Sequence, residues 1–94
     1  MVRRGSRCAG RNTVTHVLTV GDTGAARFGF IVSRKVGTAV VRNTVRRRLK
    51  AVCAEALPHV PGGTDVVIRA LPAAAGADYA QLRAEVHRCL RRAA

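Results

Sequence analysis

The chain has 94 residues, with 17 Lys+Arg against 5 Asp+Glu, a formal net charge of +12 and 48% hydrophobic residues. That length excludes a large enzyme and implies a single domain over residues 1–94, and the apolar content excludes a disordered polyelectrolyte. Of the basic residues 15 are Arg and 2 are Lys; because a guanidinium grips phosphate with two parallel hydrogen bonds, the excess points to nucleic acid as the partner that relieves the self-repulsion.

Residues 1–11 hold Arg3, Arg4, Arg7 and Arg11, two glycines and a serine without usable periodicity. They read as an exposed basic arm or a strand lead-in, lining RNA or simply solvated. Over 12–20, Val14, His16, Leu18 and Val20 alternate with Thr13, Thr15, Val17 and Thr19, the period-2 pattern of a half-buried strand in which His16 is a filler. Gly21-Asp22-Thr23-Gly24 predicts a tight reversal, and hence a hairpin to a second strand over 26–33. That strand carries Phe28, Phe30 and Val32 on one face and Arg27, Gly29, Ile31 and Ser33 on the other. Phe28 and Phe30 read first as core, with stacking on single-stranded RNA as the alternative.

Gly37-Thr38 interrupts the strand pattern and supplies a capping hydroxyl, after which 39–57 runs without Gly or Pro as far as Pro58. At 100° per residue Val41, Val45, Leu49, Val52 and Ala56 share an apolar stripe of about 80°, while Arg42, Asn43, Arg46, Arg47 and Lys50 fill an arc of about 140° roughly opposite. Between residues 23 and 54 there are eight basic side chains and no acid. Solvated helix faces usually mix signs, so this one-sided charge predicts nucleic-acid contact. Pro61-Gly62-Gly63 is a turn, and 64–71 reads as a third strand interior to the sheet. The helix between strands two and three predicts a βαβ unit with parallel strands. After a small-residue connector over 72–77, Asp78 caps a last helix reaching about Arg92, with Leu82, Val86, Cys89 and Leu90 as its apolar stripe.

Cys8, Cys53 and Cys89 are odd in number and lack the two-residue spacing of a zinc or redox motif, which implies a reducing, cytoplasmic setting. Cys53 with His59, or His87 with Cys89, matches no familiar metal-ligand set. No run approaches the roughly 18 apolar residues of a membrane span, and no apolar segment follows Met1, so a soluble, unexported protein without a membrane partner is expected. The acids Asp22, Glu55, Asp65, Asp78 and Glu85 are dispersed, so no protein-borne hydrolytic centre, catalytic residue or metal site is expected.

The segment 27–50, which runs through Val32-Ser33-Arg34-Lys35-Val36-Gly37-Thr38-Ala39-Val40-Val41-Arg42-Asn43, resembles the signature of the protein subunit of bacterial ribonuclease P. In that family a strand ending in Val-Ser-Lys-Lys or similar leads through Gly-x-Ala-Val into an Arg-Asn-Arg helix. The run 65–75 looks like the family's second strand block in its actinobacterial form, and the whole resemblance spans about residues 3–90. It implies an α/β (α+β) two-layer sandwich, ribosomal-protein-like, whose small mixed sheet has a left-handed βαβ crossover. It implies a ribonucleoprotein that removes the 5′ leader from precursor tRNA, with ribonuclease P RNA and precursor tRNA as partners and no protein partner. The RNA subunit and its Mg²⁺ ions would break the bond, the metal being held by RNA and substrate.

Carried onto this chain, the resemblance implies RNA contacts at Arg34, Lys35, Arg42, Asn43, Arg46, Arg47 and Lys50, with leader contacts at Phe28, Phe30 or Arg11. Thr44 stands where the motif's second Arg is usual, and Arg48 adds a charge on the helix flank. Met1 falls just past the family's basic, aromatic-bearing N-terminal helix, so either the start is assigned late or the chain lacks that helix; if the 94 residues are the whole protein, the expectation is weaker discrimination of precursor from mature tRNA. The alternatives are a ribosomal-type structural RNA-binding protein, which has no reason to carry the Val-Ser-x-Lys-x-Gly-x-Ala-Val-x-Arg-Asn block, and a stand-alone nuclease.

Overall fold

A computed structural model describes residues 4–19 and 24–93. Its strands are β1 (Arg4–Ala9), β2 (Thr13–Thr19), β3 (Arg27–Ile31) and β4 (Thr64–Ala70), and its helices are α1 (Ala39–Ala56) and α2 (Tyr79–Ala93). Short 3₁₀ turns occupy Arg34–Val36, Leu57–His59 and Pro72–Gly76.

Local chemistry sets the helix starts. Thr38 has an extended backbone, and its Oγ1 accepts from Val41 N at 3.4 Å, satisfying one of the amides that the first turn of α1 leaves open. Asp78 and Gln81 cap α2 reciprocally: Gln81 N donates to Asp78 Oδ1 at 2.8 Å and Asp78 N donates to Gln81 Oε1 at 2.9 Å. The predicted stripes are the buried faces. Val45, Leu49 and Val52 of α1 and Leu82 and Val86 of α2 join Val66 and Ile68 of β4 in one hydrophobic cluster. Both helices therefore cover the same face of the sheet, giving two layers. Full burial of each such side chain contributes about 1.5–3 kcal/mol.

The strand order is β1-β2-β4-β3, with β1/β2 and β2/β4 antiparallel and β3/β4 parallel. The βαβ unit is thus present as expected, α1 crossing from β3 to its parallel neighbour β4. The expected hairpin between the second and third strands in the chain is not: β4 lies between β2 and β3. The reason is that β4, apolar on its helix-facing side and half-covered on the other, gains more from a central position than an adjacent β2/β3 pair would. Its proposed turn residues Gly21, Asp22 and Thr23 lie outside the described residues. A tight turn joins β1 to β2, closed by Gly10 N donating to Thr13 O at 2.8 Å.

Residues 4–9, left without periodicity in the sequence, form a strand. Its residues pair from Arg4 with Thr19 through Ala9 with Val14. As an edge strand it is ordered by its ladder with β2 rather than by an apolar face, and Gly5, Ser6, Arg7 and Ala9 are all exposed. The cysteines are a second correction. Cys8 on β1 and Cys89 on α2 form a disulfide across 81 residues of sequence, leaving Cys53 buried and free. Sequence spacing does not report such a pair, and the cysteine count therefore carries no argument for a reducing compartment.

Candidate nucleic-acid interface

Register divides the sheet into two chemically different faces. Phe28 is paired with Val66 and Phe30 with Ile68, so both aromatic rings share the face that the helices cover, and both pack half-buried against the core cluster. The core reading of these two residues describes where they are. On the opposite face one row runs Arg7, His16, Val67, Gly29 across all four strands, and the next runs Ala9, Val14, Arg69, Ile31. Arg7, His16 and Arg69 are exposed there, and Gly29 meets nothing within 4 Å of where a Cβ would stand. The result is an open, flat, cationic sheet surface. Arg27, also on this side, is engaged with Asp65 of β4 through bonds of 2.9 Å from Nε and Nη2. Sequence reasoning assigned no role to Arg69 and treated His16 as a filler. The alternation over 64–70 carried the signal, since it places Asp65, Val67 and Arg69 together.

The second cationic surface is the solvent side of α1. Val40, Asn43, Thr44, Arg46, Arg47 and Lys50 line a shallow groove without an acid. Within it Arg46 Nη1 donates to Asn43 Oδ1 at 3.1 Å, which orients both side chains, and Thr44 Oγ1 donates back to Val40 O at 3.1 Å. Arg42 stands at the edge, half-buried, with its Nε shielded from solvent and without a hydrogen-bond partner among the described residues. Such a donor is costly to leave unpaired, and an oxygen arriving from outside would satisfy it. Arg34 and Lys35 are exposed in the 3₁₀ turn ahead of α1, held by the buried Val36. Arg11 is exposed in the β1–β2 turn, apart from this groove. Arg48 does not line this groove. Its Nη1 donates to Ala77 O at 2.7 Å in a partly buried bond that ties α1 to the start of α2.

The described carboxylates are all engaged elsewhere. Glu55 accepts from Arg83 Nε at 2.8 Å and from Tyr79 OH at 3.1 Å, and the Arg83 bond foremost holds its carboxyl down to about 2. Asp65 pairs with Arg27, Asp78 caps α2, and Glu85 accepts from Thr13 Oγ1. Asp22 lies outside the described residues. Among the described residues no three His, Cys, Asp or Glu side chains gather as a metal site. Burial pushes the Cys53 thiol up to about 12, which keeps it neutral, and Cys89 is in its disulfide.

Comparison with known proteins identifies the family and the fold. A family model described as Ribonuclease P matches residues 1–94. The ribonuclease P protein component of a Nocardioides species is 49% identical over 94 residues, covering 97% of this chain and 80% of that protein. The corresponding protein of Acidothermus cellulolyticus is 47% identical over 93 residues, covering 98% of this chain and 78% of that protein. Among solved structures, the RNase P protein of Staphylococcus aureus superposes with a TM-score of 0.82 at 25% identity, covering 95% of this chain and 81% of that one. That of Thermotoga maritima shares the fold, with a TM-score of 0.80 at 23% identity over 94% of this chain and 83% of the other.

Proposed function

Because the chain belongs to the ribonuclease P protein component family, a subunit of the endoribonuclease P holoenzyme whose partner is the ribonuclease P RNA, we propose that it docks on that RNA through α1 and receives the precursor-tRNA 5′ leader on the open face of the sheet. The observation that carries the reading is the acid-free groove of Asn43, Arg46, Arg47 and Lys50 on one helix face. Phosphates entering it exchange condensed counterions for arginine and lysine contacts, the main source of affinity for RNA. The buried Nε of Arg42 adds a donor awaiting an acceptor, and Arg34 and Lys35 extend the charge towards the start of the helix.

The leader is assigned to Arg7, His16 and Arg69 rather than to Phe28 and Phe30, whose rings serve the core. A single strand lying across a flat face over Gly29 meets backbone-neutralising charge without steric hindrance. Among the described residues no cluster of His, Cys, Asp or Glu gathers to hold a metal ion; in this reading Mg²⁺ belongs to RNA and substrate. The protein's contribution is to neutralise backbone charge and to hold the leader, which raises the affinity of the RNA active site for precursor.

The test measures affinity for ribonuclease P RNA against salt. In the Arg46→Ala/Arg47→Ala double variant the slope of log K against log salt should fall by about 0.7–0.9 per contact removed. An unchanged slope removes α1 from the interface. For the leader, Arg69→Ala should lower the preference of the reconstituted holoenzyme for precursor over mature tRNA by about 1.5–3 kcal/mol, while Phe30→Leu leaves it unaltered.

A further inference from the structure

Strand β1 is joined covalently to the helix layer at Cys8. Of residues 5–9 only Cys8 is partly covered, so apart from its ladder with β2 the strand reaches the helices through the sulfur that joins Cys89. An edge ladder with exposed side chains opens at low free energy, and a covalent tie at its centre suppresses that opening. The two sulfurs are unequally accessible. Cys89 is 0% exposed on α2, whereas Cys8 is half-exposed at the sheet edge, so a small thiol or disulfide approaches the pair from the Cys8 side. Arg7, the neighbouring residue, points to the opposite face and stands beside His16 on the open sheet surface.

We propose that Cys8 and Cys89 form a thiol–disulfide switch that sets how firmly β1, and with it Arg7, is held on the open sheet face. The functional consequence rests on the assignment of that face to the leader. Closing starts from two thiols and a low-molecular-weight disulfide. The Cys8 thiolate attacks one sulfur of that disulfide and expels a thiolate, leaving a mixed disulfide on Cys8; the deprotonated Cys89 then attacks the Cys8 sulfur and expels the second thiolate. The protein gives up two electrons and two protons, and the small disulfide becomes two thiols. A dithiol attacking at Cys8 reverses the sequence. The groove on α1 lies in the other layer, so docking on the RNA subunit is independent of the switch.

The experiment compares the full chain after treatment with oxidised glutathione and after treatment with dithiothreitol, with alkylation and mass measurement to count free thiols in each. One free thiol is expected in the first state and three in the second. Amide hydrogen exchange of residues 5–9 should be at least about tenfold faster in the dithiol-treated chain. The Cys8→Ser/Cys89→Ser variant should exchange at the faster rate and ignore both reagents. Three free thiols after oxidised glutathione, or equal exchange in two states of confirmed thiol count, would overturn the switch. The reconstituted holoenzyme should also prefer precursor over mature tRNA more strongly in the disulfide state. If Arg7→Ala lowers that preference while opening the disulfide does not, the coupling to Arg7 is wrong. If exchange responds to the disulfide but neither change alters the preference, the switch on β1 stands and the leader assignment falls.

Discussion

Glu85 on α2 accepts a 2.6 Å hydrogen bond from Thr13 Oγ1 at the first position of β2, and its other carboxylate oxygen accepts from Asn12 N at 3.1 Å. Thr13 is 0% exposed, so a charged group joins the two layers at the point where the β1–β2 turn meets the helix. A Cβ on Gly10 would collide with the same carboxylate, which explains glycine in that turn. Cys89 follows Glu85 by one helical turn, so a single face of α2 secures both the turn and the strand before it.

Glu85→Gln should therefore cost about 1.5–3 kcal/mol of stability, because the bonds it loses are charge-assisted and partly buried. Urea unfolding of Glu85→Gln, Thr13→Val and the double variant measures the coupling. A coupling energy of about 0.5–3 kcal/mol is expected for a direct contact, and additivity would mean that the two side chains act separately.

Gly37 connects the Arg34–Val36 turn to the Thr38 cap at φ 156° and ψ −162°, where a Cβ would stand 2.9 Å from Val41 Cγ1. Gly37→Ala should lower stability by about 1–3 kcal/mol, read as a drop in thermal midpoint. Adding Val41→Ala should recover only the Cγ1 share of the contact, because Cβ of residue 41 stays 3.0 Å away, and should leave the backbone part.

Arg48 braces the helix whose other side is proposed to meet RNA. Arg48→Ala removes the 2.7 Å bond to Ala77 O and leaves that partly buried carbonyl unpaired, so a loss of about 1.5–3 kcal/mol is expected in unfolding experiments. The salt dependence of RNA-subunit binding should stay that of the parent chain. A smaller slope would place Arg48 among the phosphate contacts.

Glu55 gives a pH signature. With its carboxyl lowered from an ordinary value of 4.5 to about 2, chiefly by the Arg83 bond and then by Tyr79, the folded chain binds fewer protons than the unfolded chain between those values. Its contribution is thus complete above about pH 4.5 and disappears as the pH falls through about 2. The acid-unfolding curve of Glu55→Gln should converge on the parent curve at the low end of that window, and a carboxyl chemical-shift titration should find Glu55 as the late-titrating acid. Because this pair is exposed, the difference between the curves should shrink in high salt.

Much of the fold is written locally. α1 spans Ala39–Ala56 against a predicted 39–57, because its period of 3.6, the Thr38 cap and Pro58 are properties of neighbouring residues. The same holds for β4 and for the Asp78 cap of α2. The basic arc of α1 was also legible, since a helix converts spacing directly into a face. The resemblance to ribonuclease P proteins was carried by the contiguous block around Arg42 and Asn43, and the family match bears it out.

Other features depend on residues far apart in the chain. β4 takes the interior position that its apolar centre predicts, but that it pairs with β2, residue 13 against residue 70, and so parts β2 from β3 is stated by no local pattern. β1 is a strand because β2 offers it a ladder, and Cys8 meets Cys89 because β1 and α2 are folded onto each other. Arg46 and Arg48 sit two residues apart on one basic helix, yet one donates to Asn43 Oδ1 of that helix and the other to Ala77 O. Their chemistry is identical in the sequence; packing α1 against the start of α2 brings a carbonyl to one guanidinium and leaves the other to the Asn43 side chain of its own helix.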